Sequence, residues 1–305
     1  MRSRASLLAW IVGGTTSKTV SDYALGYTPA EHERLTRQAE LIAPFTERLF
    51  RDAGIEPGHS VLDLGSGLGD VSMLVARLVG PSGDVVGIER DATSIERAQA
   101  RLAATEIRNV SFLNTDLNKI VIDRRFDAVV GRFILMFLPD PLSVLRSVCR
   151  LVRPSGVLAF QEPSWIPKLA LGERLPLWSR VLRFIHQTIL RSGANPEMGL
   201  ALYPMFQEVG LPAPNMRLEI PLGSDVGFIR VISDLVYSLQ PLAAQHDVSL
   251  KELGDLNTLP DRICAEIGAA NTVVTLVPLL GAWSRKSATA DSSRGEPRES
   301  RQPAA

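Results

Sequence analysis

The chain is poor in cysteine and carries no excess of charge. Only two cysteines, Cys149 and Cys264, occur in 305 residues. They lie far apart, in the apolar stretches LRSVCRLV and RICAEIG. A zinc site needs clustered sulfur and imidazole ligands, so no metal is expected. Both cysteines read as small hydrophobes, and nothing points to an oxidising compartment. Basic and acidic residues balance at 33 each, so the basic footprint of a protein that grips nucleic-acid backbones is missing. Long apolar runs are also missing. The N-terminal MRSRASLLAWIVGG is too short to span a bilayer, and no A-x-A cleavage site follows it. It reads as an amphipathic segment over part of a binding site, in a cytoplasmic protein without stable membrane insertion.

What is present is an alternation of helical and strand patterns. Residues 29–53 carry Leu35, Ala39, Ile42 and Leu49 at helical spacing, with Pro29 near the start. A strand over 60–64, a glycine loop and a helix ending at Gly80-Pro81 follow. DVVGIE (84–89) is a strand, and DATSIERAQARLAA a helix capped by Asp91 or Thr93. VSFLNTD (110–116) and FDAVVGRF (126–133) are strands. PDPLSVLRSVCRLV is a helix entered through Asp140 and Pro141, and RPSG turns the chain into the strand VLAFQEP. This rhythm predicts right-handed crossovers and a mainly parallel sheet covered on both faces.

After residue 163 the rhythm breaks. RLPLWSRVLRFIHQTILR and PEMGLALYPMFQEVG read as helices, NMRLEIPL (215–222) as a strand, 225–270 as mostly helical, and NTVVTLVPLLGAW as a last strand. The polar end of the chain is expected to be disordered. The expected division is a helical cap over 1–56, a nucleotide-binding core over 57–163, and helical inserts with the last two core strands over 164–286. A tail over 287–305 completes it.

The chemistry is concentrated in VLDLGSGLGD. A dinucleotide loop spaces its glycines G-x-G-x-x-G so that a pyrophosphate reaches a helix N-terminus. Here Gly65, Gly67 and Gly69 are spaced two apart. Asp63 precedes them and Asp70 opens the helix. Two carboxylates at this turn disfavour a diphosphate and suit a ligand that carries positive charge. Downstream, Glu89 ends the second strand, where a carboxylate accepts from ribose hydroxyls, or pairs with Arg90. Asp116 ends the third, where it accepts from an adenine amino group beside the Leu117 amide, or caps the next turn.

Together VLDLGSGLGD, IERD, NTDL, GRFILMFLPDP and LVRPSGVLAF resemble the class I S-adenosylmethionine-dependent methyltransferases, in particular small-molecule enzymes similar to the ubiquinone/menaquinone C-methyltransferases. The resemblance covers residues 20–163, and more loosely TLVPLLGAWSRK. It implies an α/β, Rossmann-like three-layer sandwich whose seven-stranded, mostly parallel sheet has the order 3-2-1-4-5-7-6. Helical lid inserts would be added to it. It also implies that S-adenosyl-L-methionine is the cofactor. Asp63, Gly65, Ser66 and Gly67 would hold its methionine part, Glu89 and Arg90 its ribose, and Asp116 and Leu117 its adenine. Arg132 would line the boundary with the substrate. The stretch SDYALGYTPAEHERL matches a pattern of the same subgroup, with Tyr23 and Gln38 closing over the cofactor. No N/D-P-P-Y/F motif follows the fourth strand, and GRFIL stands there instead. With the neutral charge, this argues against DNA or RNA as acceptor.

A sulfonium methyl is already activated, so the protein's task is alignment and exclusion of water. Two residues are candidates for a base. Glu162 ends the fifth strand, with a cap or an arginine partner as its structural alternative. His186 lies on the apolar side of an insert helix, with a hydrogen-bonded core position as its alternative. His32 and His59 read as structural, and His246 as solvent-facing. Trp165, Trp178, Phe184, Met198, Tyr203 and Met205 suit either an apolar acceptor chamber or ordinary core. The expected partner is a small hydrophobic or aromatic methyl acceptor, modified at oxygen or carbon. An NAD(P)-dependent oxidoreductase and a non-catalytic cofactor-binding regulator are the alternatives. The oligomeric state is not legible.

Overall fold

The computed structural model describes residues 29–166 and 175–288. Helix α1 (Pro29–Asp52) leads into β1 (Ser60–Leu64), α2 (Asp70–Val79), β2 (Asp84–Glu89), α3 (Ala92–Ala103) and β3 (Val110–Asn114). Then come β4 (Phe126–Arg132), α4 (Pro141–Leu151) and β5 (Val152–Pro163). The second half comprises α5 (Pro176–Arg191), α6 (Met198–Glu208), β6 (Asn215–Glu219), α7 (Val226–Gln245), α8 (Leu259–Ala269) and β7 (Leu279–Arg285).

The main sheet has seven strands in the order β3-β2-β1-β4-β5-β7-β6. The β1 to β5 pairings are parallel, and β7 runs antiparallel to both neighbours. The expected order and the reversed last strand are both observed. Side chains alternate between two cores because strand residues point to opposite faces. Leu62, Leu64, Val129, Leu158 and Phe160 enter one core, shared with α4 to α8. Val61, Val85, Ala128, Val130 and Val157 enter the other, closed by α2 and the C-terminal half of α1.

Local chemistry sets the helix starts. Asp91 accepts from the Ser94 N–H at 2.6 Å, Asp140 from Ser143 at 2.9 Å and Asp225 from Phe228 at 3.0 Å. Each satisfies an amide that the first helical turn leaves unpaired. Thr93, the other candidate cap, lies inside α3.

The second half departs from expectation in detail. NTVVTLVPLLGAW is not one strand: Val274–Thr275 pairs with Leu222–Gly223 in a separate two-stranded ribbon, and β7 begins only at Leu279. Pro278 separates the pieces, and proline cannot donate to a ladder. NMRLEIPL is divided in the same way, with Pro221 between β6 and the ribbon. The RPSG segment lies within β5, where the pairing to β4 shifts register and Ser155 adopts a φ of 63°. Asp116 lies beyond β3, which ends at Asn114. Tyr23, the N-terminal amphipathic segment and the end of the tail (289–305) lie outside the described residues. No helix among those described is long and apolar enough to cross a membrane.

Candidate active site

The loops that leave the C-terminal ends of β1 to β5 surround a cavity of about 280 Å³. α1 and α7 close it from the other side. Its size is near the lower end for small-molecule sites, and its place at the strand ends is where open α/β sheets bind ligands.

One end is polar. The β1–α2 loop crosses this edge with Gly65 at φ 64°, Gly67 at φ 51° and Gly69 at φ 80°. At Gly65 a side chain is barred twice, by the left-handed backbone and by Ile134, against which a Cβ would collide. At Gly67 no atom comes within 4 Å of a Cβ position, so the loop backbone faces open space. Glu89 braces the loop. Its Oε2 accepts from the Gly67 N–H at 3.0 Å, and its Oε1 from the Arg90 and Asp91 N–H groups at 2.8 and 3.0 Å. Asp116 Oδ1 accepts from the Asn118 backbone at 2.8 Å, the capping alternative, while Asp116 and Leu117 both line the cavity.

Asp63 is buried below the loop. Ser72 Oγ donates to its Oδ2 at 2.6 Å, while Oδ1 and the neighbouring Ser66 Oγ are buried without hydrogen-bond partners. Burial pushes the Asp63 carboxyl up to about 7, against the Ser72 hydrogen bond and the Arg132 charge. Asp70, at the cavity wall, is paired with Arg101 at 2.7 Å, so half of the negative charge expected at this turn is already compensated. Arg132 is positioned by Thr46, whose Oγ1 accepts from Nη1 at 3.1 Å and donates to Gln161 at 2.7 Å. Burial lowers the Arg132 pKa from its ordinary value, and Asp70 and Asp63 oppose that shift.

The Asp63 carboxyl implies a measurable pH dependence. In the unfolded chain it titrates near 4, in the folded chain at about 7. Between those values the folded state binds more protons, so unfolding releases them and this group's contribution to stability falls as pH rises. Asp63→Asn is expected to remove that slope, at most about 1.4 kcal/mol per pH unit. Urea titrations at pH 5 and 7.5 check it; equal pH dependence in variant and wild type would contradict the assignment.

The other end is apolar, walled by Met136, Trp165, Ile189, Ile232, Leu235 and Leu276. Gln38 lines the cavity from α1 and accepts from Arg34 Nη1 at 2.6 Å.

Neither candidate base is on the cavity wall. Glu162 is fully buried near the end of β5, and accepts from the turn after β4: from Ile134 and Leu135 N–H at 3.0 and 2.8 Å and from Met136 N–H at 3.4 Å. Its alternative as a cap is the one observed. A single 3-10 turn (Leu135–Phe137) follows β4, and the amides at its start have no partner within the turn. His186 is half-buried, its ring centroid 6.3 Å from that of Trp165 and its Nε2 3.8 Å from Glu197. Burial lowers its pKa. Glu197 accepts from Ser164 Oγ and from the Trp165 N–H, so this cluster backs the wall rather than facing the cavity. Trp178, Phe184, Met198 and Met205 are core, and Tyr203 is exposed. Both cysteines are free, and among the described residues no group of three or more His, Cys, Asp or Glu side chains could hold a metal.

Sequence reasoning missed several cavity residues, His32 among them. His32 lines the wall, although EHERL reads as a polar helix surface. The available signal was its spacing: His32, Leu35, Ala39 and Ile42 recur at three and four residues, on one helix face.

A seven-stranded sheet with a reversed strand, and a cavity joining a carboxylate-rich end to an apolar one, define a Rossmann-like methyltransferase fold. A family model described as a methyltransferase domain matches residues 55–210, and the chain belongs to that family. Its cofactor is S-adenosyl-L-methionine, and the site fits such a group: the open Gly67 backbone and the partnerless Ser66 hydroxyl line the cavity, with the Asp63 carboxyl buried beneath the loop. The chain is 35% identical over 117 residues to a ubiquinone/menaquinone biosynthesis C-methyltransferase of Pseudomonas paraeruginosa, covering 37% of this chain and 46% of that protein. It is 32% identical over 111 residues to an arsenite methyltransferase of Halobacterium salinarum, covering 36% and 28%. Each match thus spans less than half of the relative. A Bacillus halodurans structure superposes with a TM-score of 0.54 at 16% identity, over 79% of this chain and 98% of that one. The YcgJ protein of Bacillus subtilis gives 0.52 at 14%, over 79% and 97%. These two show the shared fold.

Proposed function

We propose that the protein transfers a methyl group from S-adenosyl-L-methionine to a small hydrophobic or aromatic acceptor, at oxygen or carbon. The observation that carries this reading is the two-ended cavity: carboxylates and glycine backbone at one end, aliphatic and indole surface at the other, with Arg132 lining the same wall. The relatives named for quinone biosynthesis and for arsenite match at similar identity, so the identity lies in common cofactor machinery rather than in acceptor recognition.

Bound S-adenosyl-L-methionine supplies an activated methyl on a sulfonium. Glu89, immobilised by three backbone amides, accepts from the ribose hydroxyls, with Arg90 beside it. Asp116 and the Leu117 amide take the adenine edge. Asp63, Gly65, Ser66 and Gly67 hold the methionine part, where the Asp63 carboxylate faces positive charge. A bound cation beside Asp63 favours its ionised form, so binding draws its proton off. Arg132, desolvated and aimed by Thr46, orients an electron-rich or anionic group at the boundary, and Gln38 closes the wall from α1. The apolar end excludes water and holds the acceptor for in-line attack, which supplies orientation rather than acid–base chemistry. Of the inserted helices, α5 and α7 line the substrate chamber.

Calorimetric titration with S-adenosylmethionine, S-adenosylhomocysteine and NAD in parallel tests the cofactor half. Micromolar binding of the two adenosyl ligands with NAD silent is expected, and binding of NAD alone would overturn it. For the acceptor half, a labelled-methyl screen over phenols, quinols and polar amines is expected to label the phenols or quinols. Label found only in polar amines would refute the hydrophobic assignment. Trp165→Leu is expected to raise the KM of a labelled acceptor about tenfold, by loss of indole contact area, with S-adenosylhomocysteine affinity unchanged.

A further inference from the structure

His32 stands in the first turns of α1, 5% exposed, on the cavity wall. Both of its ring nitrogens, Nδ1 and Nε2, are buried without a hydrogen-bond partner. Two orphaned polar atoms on one buried side chain are costly unless a ligand satisfies them. The charged groups that act on the ring are Arg97 within α3, Asp91 at its N-cap, and Glu31 on its own helix. Burial and Arg97 keep its pKa below the ordinary histidine value, against Asp91 and Glu31. The ring is therefore neutral at neutral pH, with one nitrogen a donor and the other an acceptor. The Asp91 amide donates to the same Glu89 oxygen as that of Arg90, so a charge that acts on His32 adjoins the end of β2, and Glu89 and His32 line one cavity.

We infer that His32 closes over the ribose of the bound adenosyl cofactor from α1, one ring nitrogen donating to and the other accepting from its vicinal hydroxyls, opposite Glu89. This rests on the functional reading above. A diol is the natural complement of a neutral imidazole, since each hydroxyl both donates and accepts. Glu89, as a carboxylate, only accepts, so His32 supplies the donor that the carboxylate cannot.

The test is calorimetric titration of the full chain with S-adenosylhomocysteine, 5′-methylthioadenosine and the 2′-deoxy analogue of the latter, on wild type, His32→Phe and His32→Asn. His32→Phe is expected to weaken methylthioadenosine binding about tenfold, and His32→Asn to recover part of the loss. Deleting the 2′-hydroxyl is expected to cost the Phe variant less than the wild type, because the two changes remove one contact. Wild-type affinity in both variants, or strictly additive losses, would overturn the inference while leaving the cofactor reading intact. A wild type silent to both S-adenosylhomocysteine and methylthioadenosine would remove the functional reading and this inference together. Should the Phe variant fail to fold, the Asn variant and the deoxy ligand carry the same cycle.

Discussion

Glu162→Ala is expected to cost the fold about 3 kcal/mol, the largest single stability effect at this site. The carboxylate is fully buried and accepts from three consecutive amides, those of Ile134, Leu135 and Met136. Alanine leaves all three unpaired and opens a void beside them. Two effects compete. Burial pushes the Glu162 carboxyl up to about 7, so removing it relieves a desolvation cost. Three orphaned amides together outweigh that relief, because each buried unsatisfied group costs about 1–3 kcal/mol. Glu162→Gln separates the contributions: its carbonyl still accepts from Ile134 and Leu135, and only the long Met136 bond is lost. The glutamine variant is therefore expected to stay within about 1 kcal/mol of wild type. Urea unfolding of the two variants decides the matter, and equal losses would refute the capping role. The same turn carries Met136 and Phe137 into the cavity wall, so the alanine variant should also bind acceptor poorly.

Glu89→Ala is expected to weaken S-adenosylhomocysteine binding by between about 10- and 100-fold. Its carboxylate holds Gly67, Arg90 and Asp91 through backbone amides. In the proposed complex it also accepts from the ribose. Removing it deletes a charge-assisted pair of bonds and loosens the glycine loop at once. Glu89→Gln keeps one acceptor and should fall between alanine and wild type. Calorimetry at fixed salt checks both, with a thermal melt to separate loop disorder from unfolding. Unchanged affinity in the alanine variant would remove the ribose assignment.

What was legible before the structure follows from how local each signal is. The strands over 60–64 and 84–89 are bounded by turn chemistry within a few residues, and Asp91 and Asp140 cap helices by bonds spanning three residues. Such signals depend on neighbours in sequence. The ribbon of Leu222–Gly223 with Val274–Thr275 joins segments about fifty residues apart, and no local pattern announces that pairing. Glu162 and His186 failed as cavity residues for a related reason. A strand end and an apolar helix face specify an element and a side of it, but which neighbour occupies that side depends on packing.

By itself the sequence determined the order of strands and helices as far as β5, the glycine loop and the acids at or just past the early strand ends, and its resemblance on those motifs pointed to the family and its cofactor. Each of these is written in residues close together, where backbone sterics and short hydrogen bonds decide. Tertiary structure alone decided that α1 crosses the sheet edge so that His32 enters the cavity wall beside Gln38. It also turned Glu162 inward to three amides and placed α7 against the apolar end. Those outcomes depend on burial of surfaces contributed by distant segments, a term that no short stretch of chain contains.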